Sequence, residues 1–312
     1  MNVSKWQKVG MEIDATNVDD ALEQCGAGWG VVQKEIATVS DTEIDGIPVI
    51  GKPVPMLANC RDDTGEVIGV VGDTYKTIQN REAFAFFDEL VQHNQAKYTY
   101  GGMLPNGHFS AGARVFLSAK MDNMMVGPDE CEKVMILTTG HDGSSGVSVQ
   151  FLVYRLVCSN GMIAIDHDNS SSVSIRHTKN YQDRIHAARL VLGTSQRYFE
   201  KMQEVFNLFY QTPFTDTQMK ELAVDLYPDT KEGKGQTGRE NRRNELFQMF
   251  HNGQGHEGIL NTKWAALNAV AEVVDHKTGS NTKSGSAVNE FNSVLTGTAA
   301  RVKNQAYQLL VA

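Results

Sequence analysis

At 312 residues the chain is long enough for one large domain or two ordinary ones. Its 41% hydrophobic and 21% charged residues are those of an ordinary soluble globular protein, and no apolar run approaches the roughly 20 residues needed to cross a bilayer. The N-terminus lacks the apolar core of a signal peptide and the net charge is -8, so the expectation is a cytoplasmic protein with no membrane partner, and one whose total charge does not favour non-specific polyanion binding.

The charge is distributed unevenly. Residues 1–130 hold 10 Lys and Arg against 19 Asp and Glu, whereas residues 131–312 hold 19 against 18, so any basic surface belongs to the second part. The four cysteines, Cys25, Cys60, Cys131 and Cys158, are far apart and form no C-x-x-C pair. Zinc-ribbon and disulfide-framework readings are therefore poor, and reduced thiols are expected.

In chain order, residues 18–25 read as a short amphipathic segment, followed by strand-like pieces at 29–32 and 47–50, with Pro53 and Pro55 closing the unit. Residues 67–71 and 75–78 read as short strands about the Gly72-Asp73 turn. Asn80 is placed as the cap of a helix through residue 94, whose Phe84, Phe87 and Val91 recur at helical spacing as core residues. Strands follow at 97–100, 113–121, 135–138 and 147–157, the last being the strongest β signal in the chain. Their connections are too short for crossover helices, which predicts an antiparallel meander with a helix packed on one face.

A long helix is expected from about residue 179. Tyr181, Ile185, Ala188, Leu192, Ser195, Phe199, Met202, Phe206 and Phe209 alternate spacings of four and three, an apolar seam in which only Ser195 is polar. That seam lies against the protein's own sheet or helices, or against another subunit. Pro213 and Pro228 flank a short helix at 217–226, and residues 229–244, with no apolar residue and three glycines, read as a mobile basic loop. Further helices are expected at 262–275, with Trp264, Leu267, Ala271 and Val274 on one stripe, and at 298–311, separated by a polar loop at 276–286. The fold class is α+β, an antiparallel β-meander packed against a long helix with a mostly helical C-terminal part. Residues 1–178 form the β-rich core and residues 179–312 the helical part with basic loops, in one continuous unit.

The turn before the strong strand carries His141, Asp142, Ser144 and Ser145. With His167, Asp168 and His177 it invites a metal-dependent phosphohydrolase reading, although the His-Asp pair sits in a Gly-rich turn and not on the helices that chemistry uses. Gly140-x-x-Gly143-Ser-Ser-Gly146 could form a backbone nest for phosphate, yet it lacks the Lys and the following helix of a Walker loop; a tight hairpin is the plainer reading. In that reading His141→Ala costs at most about 1 kcal/mol. Gly143-Ser144-Ser145-Gly146 is one residue short of a nucleophile elbow, and Cys158 reads as a small buried hydrophobe. No catalytic residue, metal or cofactor is assigned.

The cations are more informative. Arg176, Lys179, Arg184 and Arg189 gather at the start of the long helix, where the partial positive charge of a helix N-terminus makes them unfavourable unless an anion compensates. Lys234, Arg239, Arg242 and Arg243 lie in the basic loop. A solvated basic face compensated by the acidic N-terminal region is the competing reading.

Several motifs stand in fixed order: Gly140-His141-Asp142-Gly143-Ser144-Ser145, Arg155-Leu-Val-Cys158-Ser-Asn160 and Ile175-Arg176-His177-Thr178, with Tyr75-Lys-Thr-Ile-Gln-Asn80 before them and the Trp264 helix ending at Asp275-His276 after them. From residue 6 to residue 276 the chain resembles the phage and plasmid proteins of the family called domain of unknown function 932. The family motif has an apolar residue after the Asn, where this chain has Gly161, which predicts a strand turn there. The resemblance implies a mobile-element origin and marks His141, Asp142, Ser144, Ser145, Arg155, Cys158, Asn160 and His177 as family-motif residues, without supplying an activity. Mobile elements carry ATP-independent single-strand annealing proteins built from a β-meander and a long helix and assembled as rings, and the order of elements here is similar to that plan. The expected function is binding of single-stranded nucleic acid, with a role in DNA recombination, by a homo-oligomer that is not an enzyme. The alternatives are a metal-dependent enzyme using His141, Asp142 and His177, and a protein-binding antagonist of host defence.

Overall fold

The computed structural model describes residues 9–44, 46–85, 87–92, 95–156, 160–162, 172–175, 182–230, 235–277, 287–295 and 297–312; for residues 182–192, among others, it describes the backbone alone. After β1 (Met11–Glu12) comes α1 (Val18–Gln24), capped by Asn17, whose side-chain oxygen accepts from the Asp20 N–H. Strands β2 (Val31–Ile44), β3 (Ile47–Arg61) and β4 (Val67–Gly72) then form an antiparallel three-stranded sheet in that order. Pro53 and Pro55 do not close this unit. Both stand inside β3, tolerated because β4 pairs only with Met56–Cys60 and leaves the prolines a neighbouring strand on one side alone.

The expected strand at 75–78 does not form. Its polar groups bind elsewhere: the Tyr75 hydroxyl donates to the Gly140 carbonyl, and Thr77 Oγ1 to Asn59 Oδ1. Helices α2 (Asn80–Phe84) and α3 (Phe87–Gln92) follow in place of one helix through residue 94. Gln79 is the cap, and Asn80 is buried instead of capping. Phe84 and Phe87 enter the core as their spacing predicts.

Strands β5 (Ala96–Asn106), β6 (Phe109–Met121), β7 (Met124–Val126), β8 (Asp129–Gly140), β9 (Val147–Arg155), β10 (Asn160–Met162) and β11 (Ser172–Ile175) build the larger sheet with β1. Its order, β1-β5-β6-β8-β9-β10, with β7 on β8 and β11 on β9, is the expected antiparallel meander. Gly161, expected at a strand turn, stands inside β10, which pairs Asn160 with Arg155 and Gly161 with Tyr154. Side chains alternate between two cores. Val115, Leu117, Met135, Leu137, Val149, Phe151 and Val153 enter the main one, while Phe116, Val134, Ile136, Leu152 and Tyr154 enter a second on the opposite face. A sheet buried on both faces explains why its strands read as unbroken apolar runs; the second covered face adds to the expected helix on the first.

Helix α4 (Gln182–Gln211) lies on the main core, followed by α5 (Asp216–Leu226), α6 (Gln236–Asn252), α7 (Lys263–Glu272), α8 (Ala287–Leu295) and α9 (Thr298–Val311). Helix α8 covers the second face through Phe291 and Leu295. The described part of the α4 seam closes on the protein's own chain: the Phe199 ring meets Phe151 at 5.7 Å and Phe206 meets Trp264 at 4.9 Å. Tyr181 and the side chains of Ile185, Ala188 and Leu192 lie outside the described residues. The main core runs without a break from Ile13 to Leu310, so the β-rich and helical parts share it. Residues 236–244, expected as loop, are instead the first turns of α6. They lack apolar side chains because polar ties to the end of α5 fix that part of the helix.

Candidate functional site

The turn between β8 and β9 is assembled from three directions. His141 is fully buried; its Nε2 lies 2.8 Å from Asn80 Oδ1, and Asn80 Nδ2 donates in turn to the Ala27 carbonyl at 3.0 Å. The His141 N–H donates to the Ala113 carbonyl, and the His141 carbonyl accepts from Asn59 Nδ2 at 2.5 Å. The Trp29 ring stands edge-on to the imidazole at 5.7 Å. Backbone comes equally close, since a Cβ on Gly69 would sit 2.3 Å from the His141 carbonyl oxygen. His141 therefore fastens α2 and the small sheet to the meander, which is a structural task beyond shaping a hairpin.

Asp142 is committed as well. Its Oδ1 accepts from the Ser144 N–H at 2.9 Å and from the Ser144 hydroxyl at 2.7 Å, and its Oδ2 accepts from Asn106 Nδ2. The anion at the Ser144 backbone donor of the proposed nest is thus the chain's own carboxylate. Ser144 donates to that carboxylate and accepts from Asn106 at 3.0 Å. Ser145 Oγ occupies the space that a Cβ on Gly140 would need, 2.3 Å away. Among the described residues no group of three His, Cys, Asp or Glu could hold a metal ion.

Arg155, at the end of β9, is fully buried. Its Nε and Nη2 fork onto Asp129 at 2.6 and 2.7 Å, and Nη1 and Nη2 donate to the carbonyls of Gln254 and Gly255 at 3.2 and 2.6 Å. Trp264 Nε1 donates to the same Asp129 carboxylate at 2.7 Å. One bidentate pair thereby joins the sheet, the α6–α7 connection and α7. His256 lies beside it in that connection. Burial, with the positive charge of Arg155 acting in the same direction, lowers the pKa of its imidazole, and Nδ1 lies 3.3 Å from the Phe250 carbonyl. Asp129, His256 and Lys303, which pairs in the core with the motif residue Asp275 (2.9 Å), were not singled out from the sequence. Only strand register and helix packing bring each to its partner.

The cations divide. Arg176, Lys179 and Lys234 lie outside the described residues, as do Cys158, His167, Asp168 and His177; Arg184 and Arg189 stand on α4 and Asn160 on β10 with their side chains outside them. Arg239, Arg242 and Arg243 come together on the first half of α6, not on a loop. Arg239 donates to the Pro228 carbonyl at 2.9 Å, Arg242 pairs with Glu245 at 2.6 Å, and Arg243 reaches both the Tyr227 carbonyl and Asp229. Gln236 and Arg243 together hold the Asp229 carboxyl below its usual range. Arg239 and Arg243 thereby cap the end of α5. Arg197 and Lys201, exposed on α4, continue the run of cations that begins at Arg176.

An open groove of about 980 Å3 lies between the start of the chain and the β5–β6 ribbon. Its two lysines are already matched, Lys97 with Asp14 at 2.8 Å and Lys120 with Glu132 at 2.6 Å. Cys25, Cys60 and Cys131 are buried thiols outside any disulfide, and burial pushes Cys25 up to about 11, so it is not an activated nucleophile.

A family model described as "Domain of unknown function (DUF932)" matches residues 67–303. No curated protein and no solved structure matches the chain.

Proposed function

The chain belongs to the DUF932 family, and from that premise we propose that it is a nucleic-acid-binding protein of a phage or plasmid, which holds single strands without chemistry and works as a homo-oligomer. The observation that carries this reading is the commitment of the family-motif residues to the fold: His141, Asp142, Ser144 and Arg155 each hold a structural partner. An enzyme needs such groups poised toward a substrate. The groups that the sequence offers to an anion are the cations on and before α4. Helix α4 is sunk into the main core at Phe199, Met202 and Phe206 and exposes Arg197 and Lys201; it follows directly on Arg176 and Lys179 and carries Arg184 and Arg189. Arg239 and Arg242 on α6, both half-buried, already hold the Pro228 carbonyl and Glu245, and Arg243 acts mainly within the fold, so the proposal rests on the cations of α4 and of the segment before it. No described helix is long and apolar enough to cross a membrane.

Fluorescence anisotropy of the full chain with labelled single-stranded oligonucleotides tests the proposal. Binding at about 50 mM salt that is lost in folded Arg176→Glu/Lys179→Glu is expected. Equal binding by that variant would overturn the assignment.

A further inference from the structure

Two arginines stand inside the larger sheet and are held differently. Arg155 is forked onto Asp129 and reaches two carbonyls, so its charge is matched within the fold. Arg114, half-buried on β6, has no such match. Its Nη1 lies 3.3 Å from Asn292 Oδ1 and its Nη2 3.2 Å from Asn106 Oδ1, which are long bonds to neutral amides and use only part of the donor fork of a guanidinium. Its Nε is enclosed and meets no acceptor, and no carboxylate pairs with it, among the described residues. A charge drawn partly out of water without a counter-charge is costly, and an anionic ligand would relieve that cost.

The neighbourhood supplies further donors. Arg114 stands opposite Gly140 in the β6–β8 ladder, on the face of the second core, and paired residues share a face. A Cβ on Gly140 would lie 2.3 Å from Ser145 Oγ, so that hydroxyl takes the place of the missing side chain, across from the arginine. Opposed Cβ positions are about 5.5 Å apart at most, which puts the hydroxyl within about 8 Å of the Arg114 Cβ. A guanidinium and one oxyanion fill such a gap. Ser144 is already engaged by Asp142 and Asn106, whereas the Ser145 hydroxyl makes no hydrogen bond among the described residues. The Asp142 carboxylate is turned to Ser144 and Asn106. One row along, the Thr138 and Ser148 hydroxyls pair at 2.7 Å, so this end of the second face is polar where the rest is core.

We propose that Arg114 and the Ser145 hydroxyl form a subsite for a phosphate group, with Asn106 and Asn292 fixing the guanidinium. A guanidinium presents paired donors to one edge of an oxyanion, and a hydroxyl arriving from the turn adds a donor off that edge, which fits a tetrahedral phosphate better than a planar carboxylate. The subsite shares no residue with the α4 surface and stands apart from that reading.

The test is phosphorus NMR line broadening of inorganic phosphate by the full chain at low salt, beside Arg114→Gln and Ser145→Ala, with circular dichroism to confirm their folds. Saturable broadening with a Kd on the order of 1 mM is expected. Arg114→Gln should weaken it at least about tenfold and Ser145→Ala about threefold or more, as for one charge-assisted and one neutral hydrogen bond. Should Arg114→Gln fail to fold, Ser145→Ala decides, because its hydroxyl holds nothing within the described fold. Arg176→Glu/Lys179→Glu should bind phosphate as the wild type does; a loss there in place of Arg114→Gln would assign the phosphate to α4 and overturn the proposal. Absence of saturable broadening, or wild-type affinity in the folded Arg114 and Ser145 variants, overturns it too. Displacement by a single-stranded oligonucleotide and not by a nucleoside monophosphate would place the subsite on a nucleic-acid backbone, and the reverse would assign it to a small phosphate ester.

Discussion

Two buried side chains set what the conspicuous motifs of this protein do. His141 has no exposed surface and holds Asn80 and Trp29, so His141→Ala removes a packed ring and strands the Asn80 oxygen. The expected loss is about 2–4 kcal/mol in urea unfolding, above the 1 kcal/mol that a surface hairpin would give. A loss below that figure would return His141 to a turn role. Arg155→Met should cost about 3–5 kcal/mol, because it leaves the Asp129 carboxylate buried without its fork. Adding Asp129→Asn should recover part of that loss, and no recovery would mean that the pair is not coupled. His256 makes stability depend on pH. Burial lowers its folded pKa below the unfolded value near 6.5, so the unfolded chain binds the proton first on acidification. The contribution is complete above about pH 6.5 and is lost as pH falls through the folded pKa. Urea midpoints should therefore drop between pH 7 and pH 5, less so in His256→Gln.

Among the elements, the meander was legible because its strands alternate two apolar faces and its turns are short, α5 and α7 because their threonine caps and apolar stripes are local, and α9 because its apolar stripe is. Helix α6 was not legible. Its first turns have no apolar residue, and Arg239 and Arg243 secure them by reaching carbonyls at the end of α5. The β2–β3 hairpin was missed although Asp45-Gly46 stands between Ile44 and Ile47, a strong two-residue turn signal; the prolines of β3 masked it. For α4 the seam was read correctly as buried surface, and its described part faces the sheet. Phe206→Asp should unfold the protein by thermal melting, since an unpaired carboxylate would enter the core. Phe206 is a sharper test than Phe199, whose ring lies 6.0 Å from the Lys133 ammonium, a partner for a new carboxylate. A folded Phe206→Asp protein would show that α4 packs loosely.

For the whole molecule, the site was legible only in part, because a sequence shows which residues are unusual and not which are already spent. The His-Asp turn and Arg155 are taken up by contacts across strands and between helices; Asn80 lies 61 residues from His141, Asp129 lies 26 from Arg155, and Trp264, which shares Asp129, lies 135 from it. On the proposed reading, the anion is held by the cations on and before α4. Salt dependence of single-strand binding by the full chain tests that claim most directly. If six or more phosphates are contacted, affinity falls by about a thousandfold or more between about 50 and 200 mM salt, with little sequence preference and no need for ATP. Absence of binding at 50 mM salt, or affinity that does not change across the series, would contradict it.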